Sequence, residues 1–582
     1  MLKNNINQEH NFPILILIDS DAPERFGRYT GEILNAEGFR LYQFGRLKEI
    51  TLASLSEADI VILTEAELST DQAAIIRAYI TGGGRLIAFR PDEKIWDLFG
   101  ISSGGSTVED GYLSLEPGTS VQEGLSLETM QIHGTADSYT LNSTGASSLA
   151  RLFCDSATPT LYSAVVSGAF GQGKTAAFAY NLPRNIALTR QGNPASAGQE
   201  RDGILGIRAA ELYLGWVDTS KNHFNQADMQ MQLLSHLIED LVQDRKPLPR
   251  IWYFPGVLKC LVILTGDGED SILEDFQAHL ADIEAKGARM TLYLKKPSLP
   301  ASEVANWVAK GHEIACHFDD TVEAVQPTLA RMNAVACETV KAHLLAYGYQ
   351  PRTVRNHWIV WVGWADQAII EAELGIGMDC NLYHYDRGSS HGHYLGGVGN
   401  FTGSGLPMKF VDLNGQVIDI YQSLTQLPDE QWLEENLYGC FKTLIDRSLD
   451  LEAYSFINVN LHTDRWQEWS RKPGLDMLDY ANRRGVPVWT AEHTLNFLET
   501  RDSSSFQDIQ WSEHKLTFTI DIPIGEQGLT FMLPLNFNDL TISRVELDGL
   551  RQAIRRMTIK GRSYALVDTC SGGSFHISAY YH

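Results

Sequence analysis

Short, uninterrupted apolar runs, each followed by an amphipathic stretch, recur through most of this chain. ILILI (14–18) passes through Asp19-Ser20-Asp21 into a helical stretch from Tyr29 to Ala36, and a strand follows near Phe39 to Phe44. ADIVIL (58–63) and RLIAF (85–89) are further strands, separated by a helix from Asp71 to Tyr79 that Gly82-Gly83-Gly84 breaks. A strand without polar alternation is apolar on both faces, so it belongs in a parallel sheet that helices cover on both sides. The rhythm restarts at KCLVILTGDGED (259–270) and continues through a helix from Leu273 to Lys286 and the strand ARMTLYL. A helix from Ser302 to Lys310 and the strand HEIACHF (312–318) follow. At 582 residues the chain is too long for one core, so the rhythm is divided among domains.

Charge narrows the partners. Forty-seven Lys and Arg against 72 Asp and Glu give a net charge of −25. Nucleic-acid binding draws on clustered cations, so DNA and RNA are excluded as main partners and a neutral or cationic ligand fits better. The 7 cysteines, at 154, 260, 316, 337, 380, 440 and 570, include no CxxC pair, which argues for free thiols rather than a disulfide framework. The apolar run Ile14 to Ile18 is too short for a signal segment or a membrane span. On sequence the chain is expected to be cytoplasmic, without a membrane span, with an extracytoplasmic location left open.

Gly168 to Thr175 matches GxxxxGK[ST] letter for letter. A phosphate cradle needs a helix directly after the loop, whereas AAFAYNLP is short, aromatic and met by Pro183. A hairpin turned by Gly171-Gln172-Gly173-Lys174 is expected instead. Residues 184–203 read as a polar loop, Ala227 to Val242 as a helix, and KPLPRIWYFP as a Pro-punctuated linker. From about 505, short alternating strands such as KLTFTIDIPI and YALVDTC read as a small antiparallel β-sandwich with no chemistry of its own.

The first 245 residues or so resemble the class I glutamine-amidotransferase-like flavodoxin fold. That family carries a nucleophilic Cys on the turn after a central strand; here RLIAF runs into Arg90-Pro91-Asp92, and the nearest Cys is Cys154. Without a thiolate there is no glutaminase chemistry, so this part is expected to be a scaffold or interaction module.

The chemistry concentrates between 259 and 462. The strand KCLVILTGD delivers Asp267, Glu269 and Asp270 to its C-terminal end, the end at which active-site loops of α/β barrels gather. Gly311-His312-Glu313-Ile314-Ala315-Cys316-His317 follows, then Thr353-Val354-Arg355, Met378-Asp379 and Asn458-Val459-Asn460-Leu461-His462. In order and spacing these segments resemble the five motifs of the NodB-type polysaccharide deacetylases. The resemblance implies Asp267 as general base and Glu269 or Asp270 as metal ligand. It also implies His317 as metal ligand, His462 as general acid, and Arg355 and Asp379 as residues that tune this pair.

The family's second metal His would stand at 321, which is Thr. A zinc hydrolase site normally has three protein ligands, so the third is expected from His357, ahead of Asp319, Asp320 and the His384, His391 and His393 loop. The resemblance implies a divalent metal, Zn with Ni or Co as substitutes, that activates water against an acetyl group on a carbohydrate. Trp358, Trp361, Trp364, Trp466 and Trp469 bracket the motifs, and half of them are expected to be exposed for stacking on sugar rings.

The resulting expectation is an α/β multidomain protein: a flavodoxin-like amidotransferase-like domain over 1–248, a distorted deacetylase-type (β/α) barrel over 249–502, and an all-β sandwich over 503–582. Its expected activity is hydrolysis of a non-peptide carbon–nitrogen bond, with a homo-oligomer as one expected state. The alternative that Thr321 raises is a degenerate barrel that binds carbohydrate, or serves assembly, without turnover.

Overall fold

The computed structural model describes residues 12–203, 206–319, 327–384, 395–430 and 436–582. Thr321, Asp320, His391 and His393 lie outside the described residues. The chain divides into two compact units, one of Met1–Asn185, Met229–Val257 and Thr500–His582, the other of Ile186–Asp228 and Leu258–Glu499.

In the first unit the apolar runs become a parallel sheet in the order Tyr42–Arg46, Ile14–Ile18, Ile60–Leu63, Arg85–Phe89, Gly173–Phe178. Every residue of Ile14–Ile18, Ile60–Leu63 and Arg85–Phe89 is buried, as a sheet covered on both faces requires. The helix Thr70–Thr81 starts at a reciprocal cap in which Ser69 and Gln72 satisfy each other's backbone amides. The GxxxxGK[ST] match is a hairpin: Pro159–Phe170 pairs antiparallel with Gly173–Phe178, with Gly168 opposite Thr175. The late strands form two antiparallel sheets, one of six strands and one of four, the fourth strand of the latter being Arg250–Ile251.

Two local expectations fail here. Residues 184–203 are not simply a loop, because a helix spans Leu182–Gln191. Pro183 sits in its first turn, where the missing amide hydrogen costs nothing, so it begins the helix rather than stopping a strand. KPLPRIWYFP is not a free linker either. Arg250–Ile251 pairs antiparallel with Thr530–Pro534, and Trp252, Tyr253 and Phe254 are buried. Arg250 itself is buried, with its guanidinium 2.7 Å from Glu37 Oε2 and 3.2 Å from Glu239 Oε1. Three consecutive aromatic rings carry too much apolar area to leave in water.

The second unit holds a closed barrel of seven parallel strands: Cys260–Asp267, Thr291–Leu294, Glu313–Phe318, Thr353–Asn356, Met378–Tyr383, Val417–Pro428 and Ser455–Asn460. The seventh closes onto the first in register from Cys260 opposite Ser455 to Thr265 opposite Asn460. Outside the barrel, Val262, Leu264, Leu292 and Val459 pack with Phe276, Leu280, Trp307 and Phe441 of the covering helices. Inside it the side chains are polar, and Thr265, Arg355, Asp379, Asn381, Asn458 and Asn460 are all buried. All strands run the same way, so their C-terminal ends share one mouth, and Asp267, Glu269, His317, His357 and His462 meet there. No helix among the described residues is long and apolar enough to cross a membrane.

Candidate active site

The first strand ends at Asp267, and the chain then turns sharply. A Cβ on Gly268 would lie 2.8 Å from Leu294 and 2.9 Å from Phe276, so only glycine fits beneath the turn. Glu269 follows in a left-handed conformation, φ 44°. That backbone costs of order 1–3 kcal/mol for a residue with a Cβ and persists only where surrounding contacts hold it. The turn splits the three acids into different fates.

Asp267 is buried at the bottom of the mouth. Its Oδ1 lies 3.1 Å from Arg355 Nη1, and its Oδ2 accepts from Asn460 Nδ2 at 2.8 Å. Tyr383 Oη donates to the same oxygen at 3.4 Å. Burial opposes the charge of Asp267, but the Arg355 guanidinium outweighs it and holds the carboxyl below the usual range. Arg355 is fully buried; it also donates to Asn460 Oδ1 at 2.6 Å and Thr425 Oγ1 at 3.0 Å, and it lies against the rings of Tyr293 and Tyr383.

Glu269 turns into the mouth and faces two imidazoles. His317 Nε2 lies 3.5 Å from Glu269 Oε1, and His357 Nε2 lies 3.0 Å from Oε2. Both rings are held from behind. His317 Nδ1 is 2.8 Å from the carbonyl oxygen of Arg355, so that nitrogen must carry the proton. The opposite nitrogen, Nε2, is buried and makes no close hydrogen bond among the described residues. His357 Nδ1 lies 2.9 Å from Asp319 Oδ1, the carboxylate-behind-imidazole arrangement common at metal centres. One donor atom each from Glu269, His317 and His357 lies within 4.8 Å of the others. Two imidazole nitrogens and one carboxylate suit a zinc-type ion, so the residues present fit the group that the sequence implies. Burial opposes the Glu269 carboxylate, and the two imidazoles outweigh it to hold its pKa far below the ordinary range. Burial likewise opposes charge on His357, yet Asp319 and Glu269 push it up to about 9.

Asp270 does not join them. Its side chain is 88% exposed and pairs with Lys295 at 3.3 Å. The sequence alone left Glu269 and Asp270 as alternatives, and the geometry brings only Glu269 to the imidazoles.

His462 stands across the mouth, with Nε2 3.7 Å from Asp267 Oδ2 and 3.9 Å from Glu269 Oε1. Its Nδ1 points at Asp429 Oδ1, 2.7 Å away, with Glu430 Oε2 at 2.8 Å. Burial works against its charge, but Glu430 and Asp429 together raise its pKa well above the ordinary imidazole value. Within the carboxylate pair, burial raises Glu430, while His462 keeps Asp429 ionised despite burial.

Asp429 and Glu430 escaped the sequence reading. The signal was available: they follow directly on the strand Val417–Pro428, as Asp267 ends its own strand. Asp379, expected to help tune His462, is elsewhere. It is buried inside the fifth strand, where its carboxylate accepts from Asn381 N at 3.1 Å and faces the buried Glu371. Burial pushes Asp379 up to about 7 and Glu371 well above the carboxylate range, so the two share a proton.

That pair sets a pH dependence of stability. Carboxyls whose pKa rises on folding contribute most below their unfolded pKa and lose that contribution as pH climbs through the folded value. Between pH 5 and pH 8 the free energy of unfolding, read from urea titrations, is therefore expected to fall by up to about 1 kcal/mol per pH unit from this pair. Glu371→Gln should flatten the fall, and parallel slopes in the two proteins would show that the pair plays no part.

The mouth is a cavity of about 380 Å³ lined by Asp267, Glu269, His317, His357, His462 and Glu430, with Arg208, Arg465 and Trp358 on its walls. Trp358 and Ile359 are both left-handed, at φ 54° and 47°, a strained pair beyond the fourth strand. Trp358 is 46% exposed and Trp469 48%, whereas Trp361, Trp364 and Trp466 are buried.

The class defined by this geometry is a closed parallel barrel with a carboxylate–imidazole cluster at its C-terminal mouth. No family model and no curated protein matches the chain. Among solved structures, Agd3, described as a novel carbohydrate deacetylase, aligns over 98% of this chain and 99% of its own, at 11% identity and a TM-score of 0.42. A Mycobacterium smegmatis protein bearing a polysaccharide deacetylase name aligns over 45% of this chain and 98% of its own, at 12% identity and a TM-score of 0.30. A β-galactosidase from Bacillus circulans sp. alkalophilus aligns over 30% of this chain and 29% of its own, at 12% identity and a TM-score of 0.25.

Proposed function

We propose that the barrel is a metal-dependent hydrolase that removes an acetyl or related acyl group from an amino group on a carbohydrate. The observation that carries this reading is His317: its Nδ1 is fixed on the Arg355 carbonyl, and its buried Nε2 makes no close hydrogen bond among the described residues, with Glu269 Oε1 3.5 Å away and His357 beside it. A buried polar atom without a partner costs about 1–3 kcal/mol, which a bound cation would offset.

Glu269, His317 and His357 would hold a divalent ion, Zn being the best fit and Ni or Co substitutes. Such an ion lowers the pKa of a bound water towards about 7 and polarises the acyl carbonyl. Asp267, ionised and oriented by Arg355 and Asn460, is the group to accept the water's proton. His462, kept protonated by Asp429 and Glu430, is the group to deliver a proton to the leaving amine. Trp358 offers an exposed ring face for a sugar.

Residues 1–248 are proposed as an amidotransferase-like module without its nucleophile. Arg90 occupies the left-handed turn position after Arg85–Phe89, at φ 45°, and pairs with Glu65 and Asp137. Residues 249–502 are proposed as the deacetylase-like barrel and 503–582 as a β-sandwich.

A second reading, a barrel that binds glycan without turnover, is favoured by Lys295, whose ammonium lies 3.2 Å from Glu269 Oε2 and can neutralise it without a metal. Metal analysis separates the two. The hydrolase reading expects about one Zn, Ni or Co per chain, lost in His317→Ala together with acetate release from N-acetylated oligosaccharides. A metal-free wild-type protein that still binds oligosaccharide would establish the second reading.

A further inference from the structure

Three carboxylates gather in the second unit away from the barrel ligands. Glu200 and Asp202 lie in the segment after the short helix Pro194–Ser196, and Glu211 lies in the short helix Ala209–Leu212. One oxygen from each lies within 4.8 Å of the others. That is the widest separation two oxygens can have across an ion with metal–oxygen distances of about 2.4 Å.

An acidic cluster alone would signify little, but Glu211 is 1% exposed and its Oε1 has no hydrogen-bond partner among the described residues. Its other oxygen accepts only from the amide of Arg201, at 2.9 Å. Burial and the neighbouring Asp202 and Glu200 charges push the Glu211 carboxyl up to about 7, and the Arg208 guanidinium offsets this only in part. Arg201 Nη1 is committed to Ser196 Oγ at 2.8 Å and to the carbonyls of Glu211 and Leu214 at 3.1 and 2.8 Å. Glu200 Oε1 accepts from Gly203 N at 2.6 Å, which bends the segment back on itself. Buried carboxylate oxygens are tolerated when paired or bound to a metal.

From these contacts we infer that Glu200, Asp202 and Glu211 form a second divalent-cation site, built of oxygens alone and of calcium type. The donor set separates it from the barrel cluster: hard carboxylate oxygens select calcium, whereas two imidazoles select a zinc-type ion. The site also has a place in the architecture. Three residues before Glu211, Arg208 lines the barrel mouth and bridges to Val360, and the Ile207 carbonyl accepts from Trp361 N at 2.9 Å. A cation at Glu211 therefore anchors the segment that forms one wall of the mouth beside the strained Trp358 and Ile359.

The test uses the full chain, stripped with chelator and reloaded with Zn so that the barrel site is accounted for, and then titrated with CaCl2 by calorimetry. One calcium is expected per chain at millimolar CaCl2 or below, with slower hydrogen exchange at the amides of Ile207 to Glu211. The double variant Glu200→Gln, Asp202→Asn, both on the surface side of the site, should lose about tenfold or more in affinity. Glu211→Gln should lose calcium binding yet melt no lower than wild type in the absence of calcium, because the unpartnered buried charge is gone. His317→Ala should keep calcium binding. The site is disproved if wild type binds no calcium, if the double variant binds it as wild type does, or if His317→Ala alone abolishes it.

Discussion

Asp267→Asn is expected to lower acetate release by about 10²–10⁴-fold while leaving metal content at the wild-type level. Asparagine keeps the size of the side chain and an oxygen for Arg355 Nη1, now 3.1 Å from Asp267 Oδ1. It removes the only property that a general base needs, a lone pair whose protonation is coupled to charge. Under the proposed reading the metal is held by Glu269, His317 and His357, so it should stay, although an Asp267 oxygen also groups with Glu269 and His462 as a second donor set. The amide nitrogen would meet Asn460 Nδ2, which now donates to Asp267 Oδ2, a lost bond worth about 1 kcal/mol, and the buried Arg355 left without its counter-charge adds a further cost of up to about 3–5 kcal/mol. Turnover and metal content measured on the same preparation decide the role. A loss of metal parallel to the loss of turnover would make Asp267 a ligand, and unchanged turnover would remove it from the chemistry.

Local pattern carried the elements, and long-range partner choice did not follow from it. ILILI and RLIAF are strands with the bounds that their apolar runs give, because nothing but a two-faced sheet can bury such runs. The motif residues at successive strand ends converge because parallel strands in a barrel share a mouth. His357 reaches Glu269 because it stands directly after the fourth strand, beside Arg355. Asp379 shows the opposite case. Its place in the order of motifs was legible, but its partner Glu371 sits on the preceding helix, and only packing brings the two together. Asp429 and Glu430 follow a proline at a strand end, and their distance from His462 is a property of the closed barrel. Trp252, Tyr253 and Phe254 were hidden among prolines that mark turns in isolation, although their area demanded burial.

Arg355→Met is expected to destabilise the protein by about 3–5 kcal/mol, because it breaks a buried ion pair from one side. The guanidinium is fully buried and Asp267 nearly so, and no other cation lies among the hydrogen-bond partners of Asp267 Oδ1. Methionine fills the volume but strands a buried carboxylate, which must then be neutralised or left at high cost. The same substitution removes donors from Asn460 Oδ1 and Thr425 Oγ1, so part of the loss belongs to those bonds. A double-mutant cycle apportions it. If the ion pair dominates, Asp267→Asn in the Arg355→Met background should cost little or restore stability, giving a coupling energy of about 2 kcal/mol or more by chemical denaturation. Additive losses would instead mean that Arg355 holds the barrel through Asn460, Thr425 and the Tyr293 and Tyr383 rings. The ionised state of Asp267 would then rest on its hydrogen bonds from Asn460 and Tyr383.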